Sequence, residues 1–325
     1  MRILVTGGAG YIGSFTVKRL LASGHTVTVY DNLVAGHKWA VPAANLIVGD
    51  LKDIDHVDHQ LIANRIEAVV HFAAYASVPE SVTNPSKYYL NNLSNSLNLM
   101  ERVRRHEIKR FVFSSTAATY GNPESPLITE EHPQRPVNPY GTTKLAFEQM
   151  LKEYAAAYGI GAVALRYFNA SGAAIDGSLG EDHSPETHLI PLVLQVPLGK
   201  RPSIDVYGTD YPTPDGTAVR DYIHVEDLAT AHVLALEKMK EGAFAAYNVG
   251  TGSGNSVKEV IATCEAVVGK PIAQKLCPRR AGDPPVLVAG AEKIRKELGW
   301  VPKFPDLRSI VETAWEWHKK HHGGM

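Results

Sequence analysis

The sequence predicts an α/β fold, a doubly wound parallel sheet carrying a smaller C-terminal α/β lobe. Three observations predict it. Short runs rich in β-branched residues alternate with helically spaced segments through the first third of the chain, the pattern of βαβ units. Those runs are continuously apolar rather than alternating, as in strands covered on both faces. A glycine-rich turn, Gly7-Gly8-Ala9-Gly10-Tyr11-Ile12-Gly13, follows the first run directly and opens a helical pattern.

Taken in order, residues 3–6, 27–30, 46–48, 68–72 and 111–114 read as buried strands, and residues 12–23 and 91–106 as helices. Residues 121–139, GNPESPLITEEHPQRPVNP, hold five of the chain's 20 prolines, which excludes a helix interior or a central strand there. That stretch is expected to be an ordered surface loop delivering the chain to a helix over 140–158, followed by a strand over 161–167. Residues 171–187 and 207–221 are long loops rich in turn residues, and loops of that length are usually functional. The expected division is a cofactor domain over 1–169 and a substrate lobe over 170–325, with some later segments returning to the sheet.

Composition narrows the class. At about 150 residues per domain, 325 residues suggest two domains, and an apolar fraction of 44% is ample for a core. The 33 Lys and Arg against 34 Asp and Glu leave a net charge of −1, without the basic footprint of a general nucleic-acid binder. Two cysteines, Cys264 and Cys277, cannot make a disulfide framework and fit a reducing compartment. No apolar run of about 18 residues occurs, and MRILVTGG does not read as a secretory signal. A cytoplasmic enzyme is expected, with no nucleic-acid partner and no membrane contact.

The glycine turn satisfies G-x-G-x-x-G counted from Gly8. Its glycines allow a tight turn and close approach, so a pyrophosphate can sit on the helix N-terminus. Asp31, closing the next strand, would hold a ribose 2′-hydroxyl and repel a 2′-phosphate, which favours NAD over NADP. Asp50 and the segment Phe72-Ala73-Ala74 also fall at carboxyl ends of predicted strands, where open α/β sheets bind ligands. From spacing alone, Asp50 could equally be a turn or capping residue.

Tyr140 and Lys144 are four residues apart on a predicted helix and so share a face. A free tyrosine has a pKa of about 10; bringing it to about 7 takes roughly 4 kcal/mol of charge stabilisation. An ammonium and an oxidised nicotinamide ring in a sheltered site could supply that. Upstream, Ser114, Ser115 and Thr116 end a predicted strand in hydroxyls, one of which can bind a substrate oxygen and relay its proton. At least one of the three is expected to cap the loop instead.

TGGAGYIGS, FSSTAATYG, NPYGTTK, and RYFN followed by VRDYIHVEDLA together resemble the extended short-chain dehydrogenase/reductase family. The resemblance runs over essentially the whole chain, and GGAGYIGS, FSSTAATYG and DGTAVRDYIHV point within it to the UDP-sugar 4-epimerase subgroup. It implies a Rossmann domain in which Gly7, Gly10, Tyr11, Ile12 and Gly13 hold the NAD pyrophosphate. Asp31, Asn32, Leu33, Val34, Ala35 and Gly36 would hold the adenosine ribose, with Asp50 and Leu51 flanking the adenine. Phe72, Ala73, Ala74, Tyr75, Ala76 and Asn91 would line the cofactor cleft, and Tyr167 and Phe168 the nicotinamide side. Tyr140 would be the base, Lys144 its electrostatic partner and ribose ligand, and Thr116 the hydroxyl relay and a substrate contact. In the second lobe Asn169, His188, Leu189, Arg220, Tyr222, Arg280 and Asp283 match positions that bind a UDP-hexose.

The implied reaction interconverts UDP-galactose and UDP-glucose through a transient 4-keto sugar with tightly held NAD, in a homodimer. The chain departs from the family pattern at His188, where Asn is common, and at Ala76, where Lys often stands. Leu287 occupies the position thought to limit the C2 substituent, so an N-acetylated substrate stays open; a UDP-glucuronate stays open as well, because only pocket shape separates it. A dehydratase would carry an Asp-Glu pair after Thr116, where this chain has Ala117 and Ala118. A non-enzymatic NAD sensor would be expected to lack Tyr140 or Lys144. No metal site is expected, because His56, His59, His318, His321 and His322 lie on polar helix faces or the tail, and neither cysteine has a partner at ligand spacing.

Overall fold

The computed structural model describes residues 1–280 and 282–322. Seven parallel strands form the main sheet, in the order Phe244–Val249, Gly161–Tyr167, Arg110–Ser114, Ala68–His71, Arg2–Thr6, Thr26–Asp31, Asn45–Val48. The strand order reverses beside Arg2–Thr6, which pairs Thr6 with Tyr30 on one side and with His71 on the other. Ligands of open α/β sheets bind at such a reversal, off the carboxyl ends of the strands.

Both faces of the sheet are covered, which explains the continuous apolar runs. Ile3 and Val5 turn to one face, where Val17 and Leu20 of helix Tyr11–Ala22 meet Leu228 and Ala235 of helix Val225–Lys238. Leu4 turns to the other, with Leu99 and Val103 of helix Asn95–Arg105 and Phe147 and Leu151 of helix Pro139–Tyr158. At about 25 cal/mol per Å² of apolar surface removed from water, these two layers are the main source of stability. Gly159, in the left-handed region at φ 67°, stops the long helix before the chain enters Gly161–Tyr167.

The smaller lobe is mixed. Val219–His224 runs parallel to Asn169–Ser171 and to Val286–Ala289, and antiparallel to Gly254–Ser256. The proline-rich stretch contributes only Leu127–Ile128, an edge strand beside Val286–Ala289. Ile204–Tyr207 pairs with Gln274–Cys277, and helices Leu189–Leu194, Val257–Val268 and Leu307–His322 close a third core. Phe244–Val249, although late in sequence, extends the main sheet beside Gly161–Tyr167. Among the described residues no helix is long and apolar enough to cross a membrane.

One helix differs from its expected form. The segment read as a single helix over 91–106 is a π-helical stretch, Tyr89–Ser94, running into Asn95–Arg105. The wider turn brings buried Asn92 onto Tyr75, accepting its N–H at 2.9 Å and donating to its carbonyl at 2.9 Å. Side-chain spacing of an α-helix carries no trace of such a local widening.

Candidate active site

The glycine turn sits where the strand order reverses. Gly7 has φ 70°, and a Cβ there would lie 2.5 Å from the Ala73 nitrogen; on Gly13 it would lie 2.3 Å from the Gly7 carbonyl oxygen. Side chains are therefore excluded, and the backbone lies open as a cradle. No side chain caps the helix that starts at Tyr11 behind Gly10, so its first-turn N–H groups face outward for an anion. Tyr11 donates its hydroxyl to the Gly172 carbonyl at 2.6 Å, tying the turn to the second lobe. Ile12 packs against the core.

Asp31 lies at the end of its strand, buried, accepting from the Ala9 N–H at 3.0 Å and the Leu33 N–H at 2.8 Å. Burial raises its pKa, and these two bonds oppose the rise. The following residues fold back on the turn: Leu33 adopts φ 58°, Asn32 accepts from the Val34 N–H at 3.1 Å, and Gly36 packs against Ala9. Val34 is exposed and Ala35 stands between it and Gly36. Asn32 donates to Asp50 at 3.2 Å, which brings that carboxylate to the same rim, beside buried Leu51. Phe72 and Ala73 continue the next strand by bonding the Thr6 carbonyl, and half-buried Ala74 and Tyr75 follow them in the chain. Asn91 donates to Asn92, which holds Tyr75, whereas Ala76 is exposed.

The hydroxyl-ended strand and the long helix converge on one buried cluster. Asn138 caps that helix by accepting the Gly141 N–H at 2.8 Å, with Pro139 at its first position, and this places Tyr140 in the first turn. Thr116 stands near enough to the Tyr140 hydroxyl to favour its phenolate, and its side chain caps a short 3₁₀ turn through the Ala118 N–H at 3.1 Å. Lys144 donates to the Ser114 carbonyl at 2.8 Å, and its Nζ stands 6.0 Å from the Tyr140 ring centre. Tyr167 and Ser114 share a hydrogen bond of 2.6 Å, with half-buried Phe168 next in sequence. Burial raises the Tyr140 pKa, opposed by the neighbouring Thr116 hydroxyl, and pulls the Lys144 ammonium down to about 7, opposed by Glu148. The phenol therefore needs added positive charge to act as a base, and Lys144 is the chain's own source beside it.

Behind this cluster lies a network that the sequence reading missed. Glu148 receives Arg166 through Nε at 3.1 Å and Nη2 at 2.6 Å, and Ser115 donates to the same carboxylate. Both partners of that ion pair are buried, at 6% and 3% exposure. Arg166 goes on to Tyr120 at 2.9 Å, and Tyr120 to Asn248 at 2.6 Å. Glu148 follows Lys144 by four residues on one helix face, which was the available signal. His71, buried between Thr6 at 2.6 Å and Ser96 at 2.9 Å, had no such signal.

The second-lobe candidates are gathered by the small sheet. Tyr222 lies in register with Asn169, and Arg220 with Leu287. Asn169 donates to the Asp221 carbonyl at 3.0 Å, and Arg220 pairs with Asp283. Arg280 does not join that pair; its guanidinium stacks 4.0 Å from the Tyr207 ring centre. Arg280 and Asp283 line a cleft of about 580 Å³ with Asn122 and Tyr211. His188 caps helix Leu189–Leu194 at its backbone while its ring pairs with Glu181.

This combination has known counterparts. The family described as NAD dependent epimerase/dehydratase matches residues 3–250. The UDP-glucose 4-epimerase of Lacticaseibacillus casei is 50% identical over 100% of this chain and 99% of that protein. A Brucella ovis UDP-glucose 4-epimerase solved in complex with NAD superposes with a TM-score of 0.94 at 46% identity, covering 99% of this chain and 98% of that one. A Bifidobacterium longum UDP-glucose 4-epimerase in complex with NAD⁺ and UDP gives 0.95 at 39% identity, with 100% of both chains covered.

Proposed function

The chain belongs to the NAD dependent epimerase/dehydratase family, and we infer that its reaction is the C4 epimerisation that interconverts UDP-galactose and UDP-glucose, with NAD as cofactor. The observation that carries the reading is the joint placement of Thr116, Tyr140 and Lys144 beside a glycine cradle that any Cβ would fill. The cradle fits NAD: its uncapped helix start suits a pyrophosphate, and Asp31 suits a ribose hydroxyl. When bound, NAD supplies a reversible hydride acceptor.

In this reading Gly7, Gly10, Tyr11, Ile12 and Gly13 hold the pyrophosphate, and Asp31 to Gly36 with Asp50 and Leu51 hold the adenosine. Thr116 receives the sugar 4-hydroxyl and passes its proton to Tyr140, whose phenolate is stabilised by Lys144. Loss of that proton together with a hydride from C4, which bound NAD would accept and give back, would produce a 4-keto sugar free to turn about its link to the diphosphate; the hydride would return on the other face, and Tyr140 returns the proton. Turning requires a firmly anchored UDP and a loosely held hexose. Arg220, Arg280, Asn169, His188, Leu189, Tyr222 and Asp283 are assigned to the anchor, since paired guanidinium donors match a diphosphate. Ala117 and Ala118 offer no acid or base for dehydration at C5 and C6.

Residues 1–169 then serve the cofactor and 170–325 the nucleotide sugar, with Phe244–Val249 lent back to the main sheet. A cytoplasmic homodimer is proposed; exposed Val82 and Leu90, at 62% and 61%, are apolar surface that a second copy could cover. Incubating the purified protein with UDP-galactose, without added cofactor, is expected to yield UDP-glucose, and denaturing it to release NAD. No conversion, or no NAD released, would refute this function. Running UDP-N-acetylgalactosamine beside it reads the width of the pocket at Leu287.

A further inference from the structure

Residues 181–188 carry four metal-ligating side chains: Glu181, His183, Glu186 and His188. Each offers one ligand atom, and the four atoms lie within 4.8 Å of one another. Nδ1 of His183 is 3.1 Å from Glu181 Oε1, and Nδ1 of His188 hydrogen-bonds the same oxygen. Glu186 approaches the same two ring nitrogens at 3.9 Å and 3.5 Å. Both imidazoles and both carboxylates therefore turn toward one point. Ligands about 2.0–2.2 Å from a tetrahedral centre stand about 3.3–3.6 Å apart, within the spread of these separations.

Charge points the same way. The Glu181 and Glu186 side chains are 3% and 5% exposed, while His183 and His188 keep 27% and 53% of theirs. Two carboxylates buried this close together need two compensating positive charges. Among the described residues, the ion pairs made by these carboxylates come from the two histidines, with no Lys or Arg in range. Two protonated imidazoles balance the carboxylates in the metal-free chain; one divalent cation would displace those two protons and leave the imidazoles neutral, the form that ligates. Two nitrogens with two oxygens suit zinc, whereas calcium and magnesium favour oxygen alone. The carboxylates form the buried floor and the imidazoles the solvent edge, which leaves an entry path.

The supporting contacts are in place as well. Glu186 accepts the His188 backbone N–H at 2.8 Å, and Trp317 donates its indole N–H to the Glu181 carbonyl at 3.1 Å. The His183 ring also stands edge-on to Tyr11, with centres 6.1 Å apart.

We propose that this chain binds one Zn²⁺ through Glu181, His183, Glu186 and His188. The ion is a staple: it holds the loop that passes over Tyr11 and enters helix Leu189–Leu194. It takes no part in the proton transfers assigned above; His188 meets it through Nδ1, the atom that faces Glu181 and Glu186, which leaves Nε2 for the nucleotide contact assigned to that residue.

The test uses the untagged full-length chain with its cofactor bound, stripped by a chelator and dialysed. Titrated with Zn²⁺ against a chromophoric chelator, it is expected to take up one equivalent per chain. Co²⁺ in its place is expected to give the intense visible bands of a four-coordinate site. His183→Ala and Glu186→Gln should each weaken Zn²⁺ binding by about 100-fold or more, beyond the roughly 10–100-fold cost of losing an outer-shell partner. His59→Ala, on an exposed helix face, should leave it unchanged. If a substituted chain fails to fold, stoichiometry and the cobalt spectrum of the unmodified chain decide. The proposal is overturned if the unmodified chain binds Zn²⁺ no more tightly than Glu186→Gln, or if Co²⁺ keeps its weak aqueous spectrum; the four groups are then an ion-pair cluster only.

Discussion

Replacing Lys144 with methionine removes one positive charge and almost no volume. Its Nζ stands 6.0 Å from the centre of the Tyr140 ring, over which a phenolate's charge is spread. At an effective dielectric of about 20, a unit pair at that distance attracts by about 2.8 kcal/mol, or about 2 units of tyrosine pKa. Tyr140 is 9% exposed and Lys144 3%, so dissolved salt screens the pair weakly. The attraction is mutual: burial draws the ammonium down to about 7, and phenolate formation raises it again, as Glu148 already does. Lys144→Met should therefore move the acid limb of the kcat/KM profile for UDP-galactose up by about 2 units. At pH 7 the rate should fall by about 100-fold from this cause alone. The assay is UDP-glucose formation across pH, with NAD content measured on each preparation so that lost cofactor is separated from lost charge. If the limb stays within about half a unit of its original position while NAD is retained, Lys144 does not set the basicity of Tyr140 and the electrostatic reasoning is wrong.

Gly13→Ala places a Cβ 2.3 Å from the Gly7 carbonyl oxygen, so the turn must move; a rate lower by about 100-fold and cofactor loss on gel filtration are expected. Glu148→Gln leaves Arg166 buried without its counter-charge, at about 3–5 kcal/mol. For 325 residues that lowers Tm by about 4–7 °C, readable by thermal unfolding with NAD present. The buried histidines His71, His224 and His232 are pushed by burial from 6.5 to about 3, about 4 and about 4. Each is neutral when folded and protonated when unfolded below 6.5, so the unfolded chain binds more protons. Stability is therefore full above 6.5 and falls as pH drops toward 4, by up to about 4 kcal/mol per pH unit for the three together. Urea midpoints measured down this range should fall steeply, and a flat profile would contradict their burial as neutral rings.

The main sheet could be read because both of its faces are covered, leaving strands such as Ile3 to Thr6 as unbroken apolar runs after which a glycine turn is conspicuous. Tyr140 and Lys144 could be paired because four residues on a helix share a face. The same spacing from Lys144 reaches Glu148, but its role depends on Arg166, which arrives from a strand 18 positions further on. Helical periodicity could not show the π-helical turn that sets Asn92 on Tyr75. The Glu181–His188 cluster was hidden for another reason. Its residues sit in a turn-rich loop with no repeating period, and only the folded path turns two buried carboxylates and two imidazoles toward one point. Arg280 could be marked as a cation but not aimed; its stacking on Tyr207 is a tertiary fact.

The central claim is that hydrogen leaves C4 of the sugar and returns to that same carbon inside one closed site. Incubating the purified protein, without added cofactor, with UDP-galactose deuterated at C4 tests it most directly. The expected result is UDP-glucose carrying the deuterium at C4, with none passed to water. UDP-glucose formed with hydrogen from solvent at C4 would contradict it, because the epimerisation would then run by proton exchange and not by hydride transfer and return.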